Sequence, residues 1–142
     1  LAPARIGAYR CAEVYSMVIE HRADGGEPIR LLVHGSAGFR PEMLAGHEVD
    51  TAYLGIGTLG KQSDEHLDEY WARTVAATGA RTVIPIHWDD FTRGLDRPMV
   101  PFPSVVDDFT RSFDYLRSRG AAEGVDVKLQ RPWEVIDPFG QV

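Results

Sequence analysis

The sequence predicts an α/β chain built on a mixed sheet, and three observations carry that expectation. Short β-branched runs alternate with amphipathic stretches that end at glycine, the pattern of strands joined by helical crossovers. A turn signal, Asp24-Gly25-Gly26, separates the first two apolar runs and reads as a hairpin. Hydrophobic residues make up 44% and charged residues 25%, close to ordinary globular usage, which excludes a disordered chain.

In chain order, Val14 to Ile19 and Ile29 to Val33 form the two arms of the hairpin. Pro41 suits the first turn of a short helix that Gly46 closes. Val49 to Leu54 is the next strand. Ser63 caps a helix whose first turn carries Asp64 and Glu65, favourable at the positive end of the helix dipole. Leu67, Tyr70, Trp71, Thr74, Val75 and Thr78 mark its buried stripe, and Gly79 ends it. Thr82 to Ile86, β-branched at four of five positions, reads as a buried strand. A long connection with prolines at 98, 101 and 103 follows, long enough to suggest a functional role. Ser104 is read as the cap of a second helix with Val105, Val106, Phe109, Phe113 and Leu116 on one face, closed by Gly120. Val125 to Leu129 is the last strand. Right-handed crossovers then imply a largely parallel sheet after the hairpin. At 142 residues a single region is expected.

Several function classes fall away. A formal net charge of -6 offers no basic stripe to displace phosphate counterions, so nucleic acid is not an expected partner. No apolar run approaches the roughly 20 residues a membrane helix needs. A single cysteine, Cys11, permits no internal disulfide and leaves the redox compartment open, the cytoplasm being slightly favoured. The chain begins at Leu1 without an initiator methionine, so it is expected to be part of a longer protein, and any N-terminal signal is not observable.

Chemistry concentrates where the third parallel run stops, at Ile86-His87-Trp88-Asp89-Asp90. A strand ending in this way carries metal-ligand and acid/base groups to the carboxyl edge of the sheet, where open α/β sheets place their sites. On spacing alone His87 is a candidate ligand. Asp89 and Asp90 are candidates for orienting it or carrying protons, or for solvated turn carboxylates. His34 and Ser36 close the second strand and are candidates for a metal-adjacent or substrate-contacting role. Their alternatives are a strand-end histidine and a serine that stabilises the Ser36-Ala37-Gly38 bend. His47 and His66 read as surface residues, Trp88 as a cover over the site, and Trp71 and Trp133 as core.

The stretch Pro85-Ile86-His87 resembles the metallo-β-lactamase fold family of metal-dependent hydrolases, in which a strand ending Pro-x-His presents one metal ligand. Leu31 to Phe39 looks like the family's strand and following turn, and Val49 to Gly57 like its next strand. The closing segment from Trp133 to Phe139 is similar to the carboxyl end of an uncharacterised bacterial subgroup. All of these belong to the family's second half. Its main signature, His-x-His-x-Asp-His, is absent, because the five histidines stand at 21, 34, 47, 66 and 87. The resemblance therefore implies the C-terminal half of an αββα sandwich, with helices on one face of a mixed sheet. It implies zinc or another divalent metal as cofactor, His87 as its ligand, and a small-molecule substrate with an ester, lactone, amide or phosphodiester bond. This chain alone is then expected to bind metal weakly and to be inactive. In the family an aspartate commonly follows the glycine of the second strand turn and bridges two metals; here Ser36 follows Gly35. A half-sandwich would leave residues such as Val14, Val18, Leu32, Tyr53 and Ile84 facing water, so self-association or pairing with the missing N-terminal half is expected.

One motif supports a different class of function. Gly55-Ile56-Gly57-Thr58-Leu59-Gly60 matches the G-x-G-x-x-G fingerprint of dinucleotide-binding turns. In that reading the chain is a non-catalytic module binding a nucleotide or small ligand. Against it, no acidic residue closes the following strand at the usual distance, and Ser63 starts the helix late.

Overall fold

The computed structural model describes residues 14–22, 25–94 and 96–137. Five strands form one mixed sheet in the order of the chain. The first two, β1 (Ser16–His21) and β2 (Ile29–His34), pair antiparallel as the hairpin, with Gly25 at φ +74° in the turn between them. The next three, β3 (Thr51–Gly55), β4 (Thr82–Ile86) and the short β5 (Asp126–Val127), each join in parallel. Helix α1 (Asp64–Thr74) links β3 to β4, and α2 (Phe109–Glu123) links β4 to β5. This is the mixed α/β sheet expected. No helix among the described residues is long and apolar enough to cross a membrane.

Strand register decides which side chains meet the helices. Leu32, Ala52 and Val83 lie side by side across β2, β3 and β4, as do His34, Leu54 and Pro85 one step nearer the carboxyl edge. Leu32, Ala52, Leu54 and Val83 share one buried cluster with Leu67, Tyr70 and Trp71 of α1 and Leu116 of α2. Both helices therefore cover the same face. The opposite face carries Met17, Ile19, Leu31, Val33, Thr51, Tyr53, Ile84 and Ile86. Of the residues expected to face water together, Leu32 instead belongs to the helix side and Ile84 is fully buried, while Tyr53 is half-buried and Val14 and Val18 are exposed. A two-residue alternation separates Leu32 from Tyr53 and Ile84, so one surface cannot hold all five.

The first helix forms for the reasons its sequence gives. Ser63 Oγ accepts from His66 N–H at 3.2 Å, and Asp64 and Glu65 occupy the first turn. Every residue of the expected stripe, Leu67 to Thr78, is buried, and a single 3-10 turn leads to Gly79 at φ +65°. Two expected helical features fail. Residues 41–46 form turns and not a helix, ending at Gly46 with φ +80°. The second helix starts later than Ser104: Asp108 is its cap, accepting from Arg111 N–H at 3.1 Å, and Gly124 closes it. Val105 is 84% exposed, so the apolar pair before the helix contributes nothing to its buried stripe. Gly120 lies inside α2 and closes nothing; a Cβ there would stand 2.6 Å from the Val125 carbonyl oxygen, so its role is to let the following strand approach.

The helices are tied to each other and to the loop before α1. Arg111 donates to the Gly60 and Gln62 carbonyls at 2.6 and 2.7 Å and to Asp64 at 2.6 Å. Tyr115 Oη donates to Asp68 at 2.7 Å and Trp71 Nε1 to Glu123 at 2.8 Å. Burial and the Asp68 carboxylate both push the Tyr115 phenol above its ordinary value. Trp71 is core as expected. Trp133 is not, being 82% exposed, and Trp88 is a core residue 9% exposed and packed on Phe109, with ring centroids 4.9 Å apart. Cys11 and the Pro138-Phe139 end of the closing motif lie outside the described residues.

Candidate functional site

The carboxyl edge of the sheet gathers the candidates, because β2, β3 and β4 run parallel and β1 runs back beside them. Ser16 stands opposite His34 at that edge. Ser36 follows β2, the glycine turn follows β3, and His87 follows β4. Two separate arrangements result.

His87 leaves β4 with φ +57°, a left-handed conformation that costs a non-glycine residue roughly 1–2 kcal/mol. Its ring is exposed, lies parallel to Phe91 at 6.2 Å, and rests against Gly57, where a Cβ would come within 3.0 Å of Cδ2. No hydrogen bond to its ring nitrogens is found among the described residues. Asp89 and Asp90 do not reach it. Asp89 pairs through its backbone with Pro101, and the Asp90 carboxylate accepts from Thr92 N–H at 3.1 Å and Thr92 Oγ1 at 2.6 Å. Asp90 is therefore committed to its own turn. The buried indole of Trp88 points into the core and does not roof the histidine. Among the described residues no group of three or more His, Cys, Asp or Glu side chains is placed to hold a metal ion.

The glycine turn owes its composition to the protein's own backbone. A Cβ on Gly55 would stand 2.6 Å from Gly35 C and Ser36 N, and one on Gly57 would stand 2.7 Å from His87 O. One on Gly60 would stand 2.1 Å from Asp108 O. Each of the three glycines is therefore required by a close approach of the chain's own backbone, without any ligand. The helix that follows also opens with two carboxylates, which repel phosphate.

His34 is the opposite of His87. It is 2% exposed, and both ring nitrogens are engaged. Nε2 lies 2.8 Å from the Gly38 carbonyl oxygen and Nδ1 lies 2.7 Å from Ser16 Oγ. A carbonyl only accepts, so Nε2 carries the hydrogen and Nδ1 is left to accept the serine proton. Burial holds the ring below its ordinary 6.5, partly offset by the Gly38 bond, so it is neutral at pH 7. Tyr70 packs against it at 5.8 Å and donates to the Ser36 and Gly55 carbonyls. Ser36 Oγ accepts from Gly38 N–H at 3.0 Å, holding the bend that presents this carbonyl. His47 is exposed as expected, whereas His66 is half-buried and bonded through Nε2 to the Ala37 carbonyl at 2.9 Å.

Beside His34 a cavity of about 930 Å³ opens between β1, β2 and the connection over 36–47, reaching Ser16, His34, Ser36, Phe39, Arg40 and Met43. Sequence reasoning singled out His34 and Ser36 but missed Ser16. The hairpin itself carries the signal. A turn centred on Gly25 places each residue opposite its mirror image, and 16 and 34 are equally far from 25. Comparison of the chain with protein-family models, curated proteins and solved structures gives no match.

Proposed function

We propose that this chain supplies His87 as one ligand of a divalent-metal hydrolase centre, with the remaining ligands contributed by polypeptide outside the described residues. The observation that supports the reading is the state of His87 itself. An exposed imidazole with unengaged nitrogens is held in a strained backbone conformation at the carboxyl edge of an α/β sheet, and such strain tends to collect at functional positions. The donor set fits in part: one imidazole suits zinc, and three further positions of a tetrahedral site are not met by the described residues. The chemistry such an ion supplies is a water acidified toward a pKa of about 7 and polarisation of a scissile ester, lactone, amide or phosphodiester group. Phe91 would orient the His87 ring, and Asp89, whose carboxylate is not committed to a turn as that of Asp90 is, is the better candidate for moving a proton.

Paramagnetic cobalt(II) titration followed by NMR of the histidine rings tests this on the chain alone. Weak, saturable broadening centred on His87 and lost in His87→Ala supports it. Broadening equal at exposed His21 and His47, with no preference for His87, sinks it. A stoichiometric, chelator-resistant zinc would show instead that this chain completes a site unaided, and would overturn the need for ligands from further polypeptide.

A further inference from the structure

We infer that Ser16 and His34 form a nucleophile–base pair opening into the cavity beside β1, and that it cleaves small esters or thioesters with an apolar acyl group. A part-buried serine–histidine hydrogen bond is ordinary by itself, since polar groups removed from water are nearly always paired. Two features take this pair further. The Gly38 carbonyl fixes the tautomer, so the one nitrogen able to accept a proton is the one aimed at the hydroxyl, 2.7 Å away. The same arrangement, a nucleophile on a base that a third group orients, defines activated serines generally. Finally, both side chains line a cavity of about 930 Å³, toward the upper end of the range typical of ligand sites and large enough for a small substrate.

The cavity also states what it would accept. Val18, Phe39, Met43 and Leu44 give it an apolar wall, and the Met43 sulfur lies 3.7 Å from Ser16 Oγ. An acyl chain could lie along that wall with its carbonyl carbon at the serine. Arg40 lines the same cavity and adds a positive charge, suited to an anionic leaving portion. The edge-strand position leaves Ser16 only half-buried, so the hydroxyl is reachable.

The steps balance without a cofactor. Ser16 Oγ bonds to the acyl carbon while its proton passes to His34 Nδ1. The carbon–oxygen or carbon–sulfur bond to the leaving group breaks, and the leaving alcohol or thiol takes that proton. Water then attacks the acyl-serine, giving a proton to His34, which returns it to Ser16 as the acid departs. Because the ring is neutral at pH 7 it is in the form that accepts, and the imidazolium it briefly becomes is held by the Gly38 carbonyl.

The test uses a fluorophosphonate probe and p-nitrophenyl butyrate on the whole chain, with peptide mass mapping. The expected result is a single covalent adduct on Ser16, present with or without EDTA. Ester hydrolysis falls about 100-fold or more in Ser16→Ala and in His34→Gln, the loss typical of removing a general base. Gln at 34 keeps an N–H for the Gly38 carbonyl but cannot accept the proton. Should the variants misfold, the wild-type adduct still decides the matter. No adduct on Ser16 in the folded protein, an adduct at another residue, or abolition by EDTA each overturns the assignment. None of these outcomes bears on His87, whose role stands or falls with cobalt binding.

Discussion

Two histidines stand at the carboxyl ends of parallel strands in one sheet, and the protein treats them in opposite ways. His34 ends β2, is buried, and has a partner for each ring nitrogen, Ser16 on one side and the Gly38 carbonyl on the other. His87 follows β4, is exposed, has no ring hydrogen bond among the described residues, and sits in a left-handed backbone conformation. The first is bound into the fold and can act only through the proton it shares with Ser16. The second contributes little to the fold and is free to bind something else. Position at a strand end is thus common to both; what separates them is where the neighbouring backbone goes. After β2 the chain folds back through the Ser36–Gly38 bend and returns a carbonyl to the ring. After β4 it leaves along the 87–108 connection, which pairs with itself at Asp89 and Pro101 and returns the Phe91 ring, but among the described residues no hydrogen-bond partner, to the imidazole.

The largest expected effect comes from removing each ring in turn. His34→Ala leaves the Gly38 carbonyl and the Ser16 hydroxyl without their partner beside a new void, and should cost about 2–4 kcal/mol. His87→Ala should stay within about 0.5 kcal/mol, as expected for an exposed side chain away from special contacts. Urea denaturation of the two variants measures the difference directly. Similar losses would mean that the stacking of His87 on Phe91 organises the long connection, and the contrast between the two ends would fail.

The contrast was partly written in the sequence. Thr82–Ile86 was legible as a strand to the residue, because its β-branched run is bounded by a helix stop and by polar residues. Helix α1 was legible because its cap, first-turn acids and stripe agree with one another. Helix α2 misled because Val105 and Val106 continue the apolar pattern of Phe109, Phe113 and Leu116 into a segment that the structure leaves outside the helix. Asp108 captures the cap at the point where Gly60 lets the backbone come close. The fingerprint glycines looked like a ligand cradle because composition cannot say whether a close approach comes from a ligand or from the chain. Strand-end position was legible for both histidines. The engagement of His34 was not, since one partner is 18 positions away across the hairpin and the other depends on a bend.

A smaller effect should appear on acidification. Burial depresses the folded-state pKa of His34 below 6.5, while the unfolded chain keeps the ordinary value. The unfolded state therefore binds a proton first as pH falls. The stability due to the buried neutral ring is present above pH 6.5 and is lost progressively below it, until the folded-state value is reached. The groups facing the ring are the Ser16 hydroxyl, the Gly38 carbonyl and the Tyr70 ring, none of which gains charge in that interval. Stability against pH, measured for the wild type and for His34→Gln, should diverge below pH 6.5, the variant showing the flatter slope. Parallel curves would place the acid sensitivity elsewhere.

The smallest effect tests whether His87 is held against its own backbone. A left-handed residue other than glycine carries roughly 1–2 kcal/mol of steric cost, and a glycine there returns about 0.5–1 kcal/mol through the greater freedom of its unfolded state. His87→Gly should therefore stabilise the chain by about 0.5–1 kcal/mol, against the usual direction for a glycine substitution. The prediction is specific, because Gly57 already leaves room for the backbone at this point and the ring has no hydrogen bond among the described residues to forfeit. His34→Gly, at an extended position with both ring nitrogens engaged, should lose as much as His34→Ala or more. Urea midpoints at pH 7.5, well above the titration of His34, keep the two effects apart. A gain in His87→Gly would mean that the imidazole stays at 87 for a reason other than stability, as a metal ligand would. A loss would assign it a structural task through Phe91 and remove the strain on which the metal proposal rests.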